Sequence, residues 1–524
     1  MNKYIIENKE ISIEEFLEVV ENDYYIETDN QVLNKIQESR QILDDFVNEG
    51  RIIYGVNTSM GGFVNYLVPV EHASVLQQNL LKSVASNVGE YFDKHIVRSV
   101  MIARLLSLSK GVSAITLKNY KILQEMINKR IYPCIPEKGS LGASGDLGPL
   151  AFIALVATGK WKALYQGKIM SGKDAMNAAG IELMELSYKE GLALINGTSA
   201  MVGLAAENYK RAKTLFENYI FISGLSFEGL ETKIKPFVPE VHERKKHSGQ
   251  LAVAKKIVKI LSSSRLIVDE ATTEKFLKEK FDNTVKGMDR QIEDAYSIRC
   301  TPQILGPVSE TLDFIKEIIT NELNSSSDNP LVIPEHGDVF HNGHFHGQYI
   351  SLSMDFLSIC MTTLSNLSDR RIDRFMDASN SNGLPAFLCR TDPGLRMGLM
   401  GGQFMSTSIT AENRSLCTPV STQTLTSTGD FQDIVSFGLV AARRARDIIE
   451  NAGYIIAFEL LCSCHAIDMR GKDKMSIYTR PLYAKVREIL PYNDDDFIIT
   501  DYCEEIKNLV LDNGTLNKLN SNLL

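Results

Sequence analysis

Residues 139–150 read Gly-Ser-Leu-Gly-Ala-Ser-Gly-Asp-Leu-Gly-Pro-Leu, which frames an Ala143-Ser144-Gly145 triplet with glycines at 139, 142, 145 and 148. Such a triplet can turn into an electrophile. Glycine reaches backbone conformations closed to other residues, so the Gly145 amide nitrogen can bend onto the Ala143 carbonyl and close a five-membered ring. Dehydration at Ser144 then leaves an exocyclic methylene. No unmodified side chain is an electrophile, and chemistry that needs one ordinarily depends on a cofactor. Gly-Ala-Ser-Gly is also plain loop material, and glycine-rich loops cradle phosphate. Here no Gly-Lys-Ser/Thr follows, and the Gly-x-Ser-x-Gly nucleophile elbow is absent.

The rest of the chain decides between these readings. Gly142–Leu150 resembles the signature of the aromatic amino-acid lyase family, ammonia-lyases and aminomutases that carry an autocatalytic methylidene-imidazolone (MIO) prosthetic group. The resemblance extends through Tyr54-Gly-Val-Asn-Thr-Ser-Met-Gly-Gly62, Glu190-Gly-Leu-Ala-Leu-Ile-Asn-Gly-Thr198, Tyr296-Ser-Ile-Arg-Cys-Thr-Pro-Gln303, Ser327-Asp-Asn-Pro330 and Asn342-Gly-His-Phe-His346. It ends in Phe431-Gln-Asp433 and Glu459-Leu-Leu461 and spans about residues 50 to 470 in the family's order. Met60-Gly-Gly62, His344 and Phe431 look more like the bacterial phenylalanine and tyrosine aminomutases than the plain lyases.

The resemblance implies a 2,3-aminomutase that converts L-phenylalanine or L-tyrosine to the β-amino acid, of the kind used in secondary metabolism. The route would pass through an MIO-amine adduct and a cinnamate or coumarate intermediate; the alternative is an ammonia-lyase that releases the arylacrylate. By resemblance the MIO forms from Ala143, Ser144 and Gly145, and Tyr54 on a lid is the base, as a phenolate. A phenol of ordinary pKa near 10 must be tuned down for that role. Arg299 would clamp the substrate carboxylate through two parallel hydrogen bonds, beside Tyr296, with Asn196 helping to hold carboxylate and ring. Phe345, Glu412, Gln432 and Glu459 match pocket positions. Relatives also imply a homotetramer whose active sites combine several chains.

Substrate choice is read from the helix that includes Ser83 and Val84. Histidine ammonia-lyases carry His at the Val84 position and tyrosine lyases carry His at the Ser83 position; neither is present. An imidazole facing Val84 would leave buried nitrogens unpaired, at about 1–3 kcal/mol, so an aromatic ring is expected. Phe431 and Phe458 add apolar surface, while Ser83 offers a phenol a hydrogen bond. The cluster His341-Asn-Gly-His344-Phe-His346 lacks the i, i+4 spacing and the glutamate of a helical zinc site. No metal is expected, and the histidines are expected to hydrogen-bond around Phe345. A metal-dependent hydrolase or a non-catalytic helical scaffold would need neither Tyr54 nor the triplet.

Composition narrows the class further. The 524 residues carry 56 Lys+Arg against 65 Asp+Glu, a net charge of −9, and 44% are hydrophobic. Basic residues are dispersed except at 244–246, which disfavours nucleic acid. The N-terminus does not read as a signal peptide, and no segment is expected to span a membrane. Eight cysteines without a repeating spacing fit reduced thiols in the cytoplasm.

The elements that position these residues are expected to be mainly helical. Residues 1–50 read as acidic helices leading to the Tyr54 loop, and helical spacing runs through 73–130. Prolines and glycines hold 132–149 out of helix, and long helices are expected over 201–232, 301–323, 347–377 and 432–470. The expected fold is a long-helix bundle of the histidine ammonia-lyase type with a smaller catalytic-loop region. Along the chain it divides into 1–200 with lid and MIO loop, a 201–470 bundle and a 471–524 helical tail.

Overall fold

The computed structural model describes residues 2–282, 284, 285, 287, 291–512 and 514; the end of the expected tail lies outside them. The long helices form Ser199–Gly229, Thr301–Leu323, Gln348–Met376 and Gly438–Arg470. Ile434, Val435 and Phe437 precede the last helix instead of opening it. Two of these helices, Gln348–Met376 and Gly438–Arg470, are long and apolar enough to cross a membrane, contrary to expectation. Their apolar windows are 72% and 83% buried within the fold, which makes them core helices.

By packing the chain forms two compact units. The first takes Met1–Tyr209, Ile315–Asp355 and Pro419–Arg443; the second takes Lys210–Phe314, Phe356–Thr418 and Arg444–Leu524. The division by packing thus alternates along the sequence.

In the first unit, residues 1–50 hold two strands besides the expected helices. Lys3–Ile6 pairs in parallel with Tyr25–Thr28, Lys3 opposite Tyr25, across the helix Ile13–Glu21. The alternation of exposed and buried residues in Lys-Tyr-Ile-Ile is the period-two signal of a half-buried strand. Helix starts follow side-chain caps: Ser12 accepts from the Glu15 N–H, Asp93 from His95 and Ile96, and Thr116 from Asn119. Within 132–149, Tyr132–Pro133 and Pro136–Lys138 are strands, and helix resumes at Leu147. Helix begins two residues before Pro149 because a first-turn proline lacks only an N–H that has no partner in the helix. That helix, Leu147–Ala157, is buried along almost its whole length and anchors the loop before it.

The second unit is built on a buried polar centre. Arg371, fully buried, donates from Nε to the Ser297 carbonyl (2.8 Å), from Nη1 to Ser223 (2.7 Å) and Glu459 Oε1 (3.2 Å), and from Nη2 to Thr301 (2.7 Å). All eight cysteines are unpaired.

Candidate active site

The triplet sits on a floor that only glycine backbone can make. Gly142 (φ 77°) and Gly145 (φ 72°) occupy the left-handed region, where side-chain-bearing residues are strained. The Gly197 N–H donates to the Ser144 carbonyl (3.3 Å) and the Asp146 N–H to the Gly197 carbonyl (2.7 Å). A Cβ on Gly145 would lie 2.2 Å from the Gly197 oxygen, and one on Gly142 would lie 2.6 Å from Ser436 Oγ. Backbone therefore presses on backbone at Gly145. Ala143 and Ser144 remain half-buried and line a cavity, with Ser144 Oγ accepting from Gln432 Nε2 at 3.1 Å. Such a loop fits an MIO group, which Ala143, Ser144 and Gly145 would form.

Asp146, next in sequence, is fully buried. It accepts from the Met201 N–H (2.7 Å) and from Ser140 Oγ (3.1 Å), yet burial outweighs these bonds and pushes its carboxyl up to about 7.

Tyr54 lines the same cavity. Its loop is fastened by Gln77, whose Nε2 donates to the Gly55 carbonyl (3.1 Å) while its Oε1 accepts from the Leu192 N–H (2.9 Å). The Gly61 N–H donates to the Tyr54 hydroxyl, and the Tyr54 N–H donates to His341 Nε2 (3.4 Å). Burial raises the phenol above its ordinary value, and the Gly61 N–H only partly opposes this. The tuned-down phenol expected from the sequence is thus not produced by these groups, because desolvation of a phenolate is the larger effect.

The cavity measures about 1200 Å³ and gathers Tyr54, Ser83, Val84, Ala143, Ser144, Gly145, Asn196, Phe345, Phe431 and Gln432. Leu80, Val84, Leu192 and Phe345 give it apolar wall; Phe431 is 50% exposed. The Asn196 amide donates to Asp328 Oδ1 and to the Asn329 carbonyl, both at 3.1 Å. Of the histidines expected to hydrogen-bond around Phe345, His341 accepts from the Tyr54 N–H. His341 faces Tyr54, His344 is exposed, and His346 lines the cavity with Nε2 unpartnered.

The remaining sequence-selected residues belong to the second unit. Arg299 pairs with Glu293 (2.6 Å) and stacks over Tyr296, 4.8 Å from the ring centre, while Tyr296 is 69% exposed. Glu412 is exposed on the helix Met400–Leu416. Phe458 and Glu459 are fully buried: Phe458 packs where a Cβ on Gly402 would fall, and Glu459 accepts from Arg371 and from Ser226 Oγ (2.6 Å).

Residues 11–488 match the family model described as aromatic amino acid lyase. The chain belongs to the aromatic amino acid lyase family. Among solved structures, the phenylalanine aminomutase of Pantoea agglomerans superposes with a TM-score of 0.95 at 56% identity, covering 98% of this chain and 100% of that one. The tyrosine aminomutase of Streptomyces globisporus gives a TM-score of 0.94 at 34% identity, covering 99% and 98%. A histidine ammonia-lyase of Caldanaerobacter subterraneus subsp. tengcongensis is 37% identical over 488 residues, 93% of this chain and 92% of that protein. This member of the aromatic amino acid lyase family is an enzyme with the mainly helical histidine ammonia-lyase type of fold. Gln77, Asp146, Lys189 and Asp328 were not singled out from the sequence. Asp146 and Asp328 stand inside matched motifs, whereas Gln77 and Lys189 carry no local signal of their contacts.

Proposed function

We propose that this enzyme is an aromatic amino acid 2,3-aminomutase acting on L-phenylalanine, with L-tyrosine as the alternative, on an MIO group formed from Ala143-Ser144-Gly145. The carrying observation is Ser144 half-buried on its glycine floor and lining the same cavity as Tyr54, in a chain 56% identical to a phenylalanine aminomutase. Once formed, the group supplies the electrophile that makes the amine a competent leaving group. Tyr54, as the phenolate, takes the proton from Cβ on its oxygen and delivers it to Cα when the amino group adds at Cβ. Arg299, which lies outside this cavity, would come from another copy in the proposed tetramer and hold the carboxylate with two parallel hydrogen bonds, which a guanidinium makes and an ammonium does not. Gln432, within reach of Ser144 Oγ, orients the amine. Leu80, Val84, Leu192 and Phe345 surround the ring and exclude water, which suits phenyl better than imidazole.

Return of the amino group at Cβ must outrun escape of the arylacrylate, so a closed lid favours the mutase. A Cβ on Gly62 would lie 3.0 Å from the Thr428 carbonyl, so the lid loop packs closely on the loop before Phe431. Completion of the site in a homotetramer, with cytoplasmic reduced thiols, belongs to the same proposal.

The test is incubation with L-phenylalanine, L-tyrosine and L-histidine followed by chiral chromatography. The β-amino acid is expected as main product from an aromatic substrate, with arylacrylate as a minor fraction that grows on heating. Arylacrylate as nearly all of the product, with no β-amino acid even in excess ammonia, would assign the enzyme to the lyases. Ser144→Ala should be inactive and folded, and its tryptic peptide 139–160 should keep its full mass.

A further inference from the structure

Lys189 occupies an unfavourable position twice over. Its backbone lies at φ 70°, ψ −26°, where side-chain-bearing residues are uncommon, and its ammonium is fully buried, which costs heavily unless the charge is paired. The partner is Asp328, equally buried, whose Oδ2 lies 2.5 Å from Lys189 Nζ. The other carboxylate oxygen of Asp328 accepts from Asn196 Nδ2 (3.1 Å) and from the Asn329 N–H (2.7 Å). Since Nδ2 also donates to the Asn329 carbonyl, both amide hydrogens of Asn196 are committed and its orientation is fixed.

Asn196 leads directly into the segment that presses on the triplet. The Gly197 N–H and carbonyl bond Ser144 and Asp146, as described, and the Thr198 N–H donates to Ser327 Oγ (3.3 Å). A Cβ on Gly197 would fall 2.3 Å from that same Ser327 oxygen. Residues 196–198 are therefore held between two layers, the triplet in front and Ser327-Asp328 behind, and the Lys189 ammonium fixes the back layer.

We propose that the Lys189–Asp328 pair is a positioning unit for closure of the Ala143-Ser144-Gly145 ring, an inference that rests on the MIO reading above. In that closure the Gly145 nitrogen bonds to the Ala143 carbonyl carbon. The carbonyl oxygen leaves as water with the amide protons of Gly145 and Ser144. The Ser144 hydroxyl then leaves as a second water with the Ser144 Cα proton, giving the methylene. Two waters are lost and no oxidant is consumed, so what the fold must supply is compression. Lys189 itself is too deeply buried to touch substrate.

The test compares the parent with Lys189→Arg and with the double variant Lys189→Met/Asp328→Leu, in which apolar side chains replace the ion pair and keep the core filled. Never-folded protein, made by cell-free synthesis into denaturant, is sampled during its first folding, alongside protein taken after expression. Mass spectrometry of the tryptic peptide 139–160 reads the fraction that has lost two waters, and circular dichroism reads the fold. The expected result is a double variant that regains its helical signal but loses the two waters at least tenfold more slowly than the parent, with Lys189→Arg within about threefold of the parent. A folded double variant that processes at the parent's rate would overturn the proposal, as would a folded Lys189→Arg as slow as the double variant. Intact mass in the parent's own peptide would instead sink the MIO reading, a result the variants do not affect.

Discussion

The Tyr54 hydroxyl accepts a hydrogen bond from the Gly61 N–H at 3.3 Å, so the proposed base is steadied by the backbone of its own loop. Tyr54→Phe removes the proton acceptor and leaves the ring in place. It should lower kcat at least about a hundredfold, the scale of a lost acid–base group, with little change in fold. Arg299→Lys should chiefly raise KM. Steady-state kinetics on both variants checks the division of labour, which equal and small effects would contradict.

Gly145→Ala tests the floor. The new methyl would lie 2.2 Å from a backbone oxygen at a position with φ 72°, and a backbone neighbour cannot swing aside. A loss of about 1–3 kcal/mol of stability is expected from forcing extra volume into packed structure, together with an unprocessed peptide 139–160. Denaturant titration and peptide mass read the two effects separately.

Asp146 gives a pH dependence of defined sign. Its folded carboxyl titrates at about 7, against an ordinary aspartate value of about 3.9. Between those values the folded chain keeps a proton that the unfolded chain has released. Stability from this group is therefore fully present below about pH 4 and is lost as the pH rises to about 7. Asp146→Asn should remove that slope. Urea denaturation of parent and variant at intervals from pH 4 to 8 checks it, and parallel curves would contradict it.

Arg371→Met strands Glu459 inside the second unit, where the pair is fully buried. Removing one partner of a buried ion pair costs on the order of 3–5 kcal/mol, so the denaturation midpoint should fall sharply. A midpoint near the parent's would contradict this.

The long helices are legible because apolar spacing persists over many turns; the bounds expected at 301–323 and 347–377 lie within a residue of the helices that form. The strands Lys3–Ile6 and Tyr25–Thr28 escaped, since four residues give period-two alternation too little length to outweigh the helical segments around them. At the site, the triplet and Tyr54 were legible as motifs, and the cavity brings them together. What was not legible is contact across sequence distance. Glu459 reads as a pocket carboxylate by motif, and only packing reveals Arg371 as its partner. Lys189 likewise looks like one more surface lysine until Asp328, 139 residues away, is seen beside it.

The floor under Ser144 is made of main chain, while the walls at Leu80, Val84, Phe345 and Phe431 are made of side chains. These two parts answer to substitution in different ways. A wall residue can be exchanged for another of similar volume, and the cavity changes shape without moving the reactive loop. Gly145 and Gly197 admit no exchange, because a side chain on Gly145 meets the Gly197 backbone and one on Gly197 meets the buried Ser327 and Arg104. On the proposed chemistry, reactivity and selectivity would be inherited separately: a lineage, or a directed library restricted to the walls, can drift between aromatic substrates while the glycine floor stays fixed.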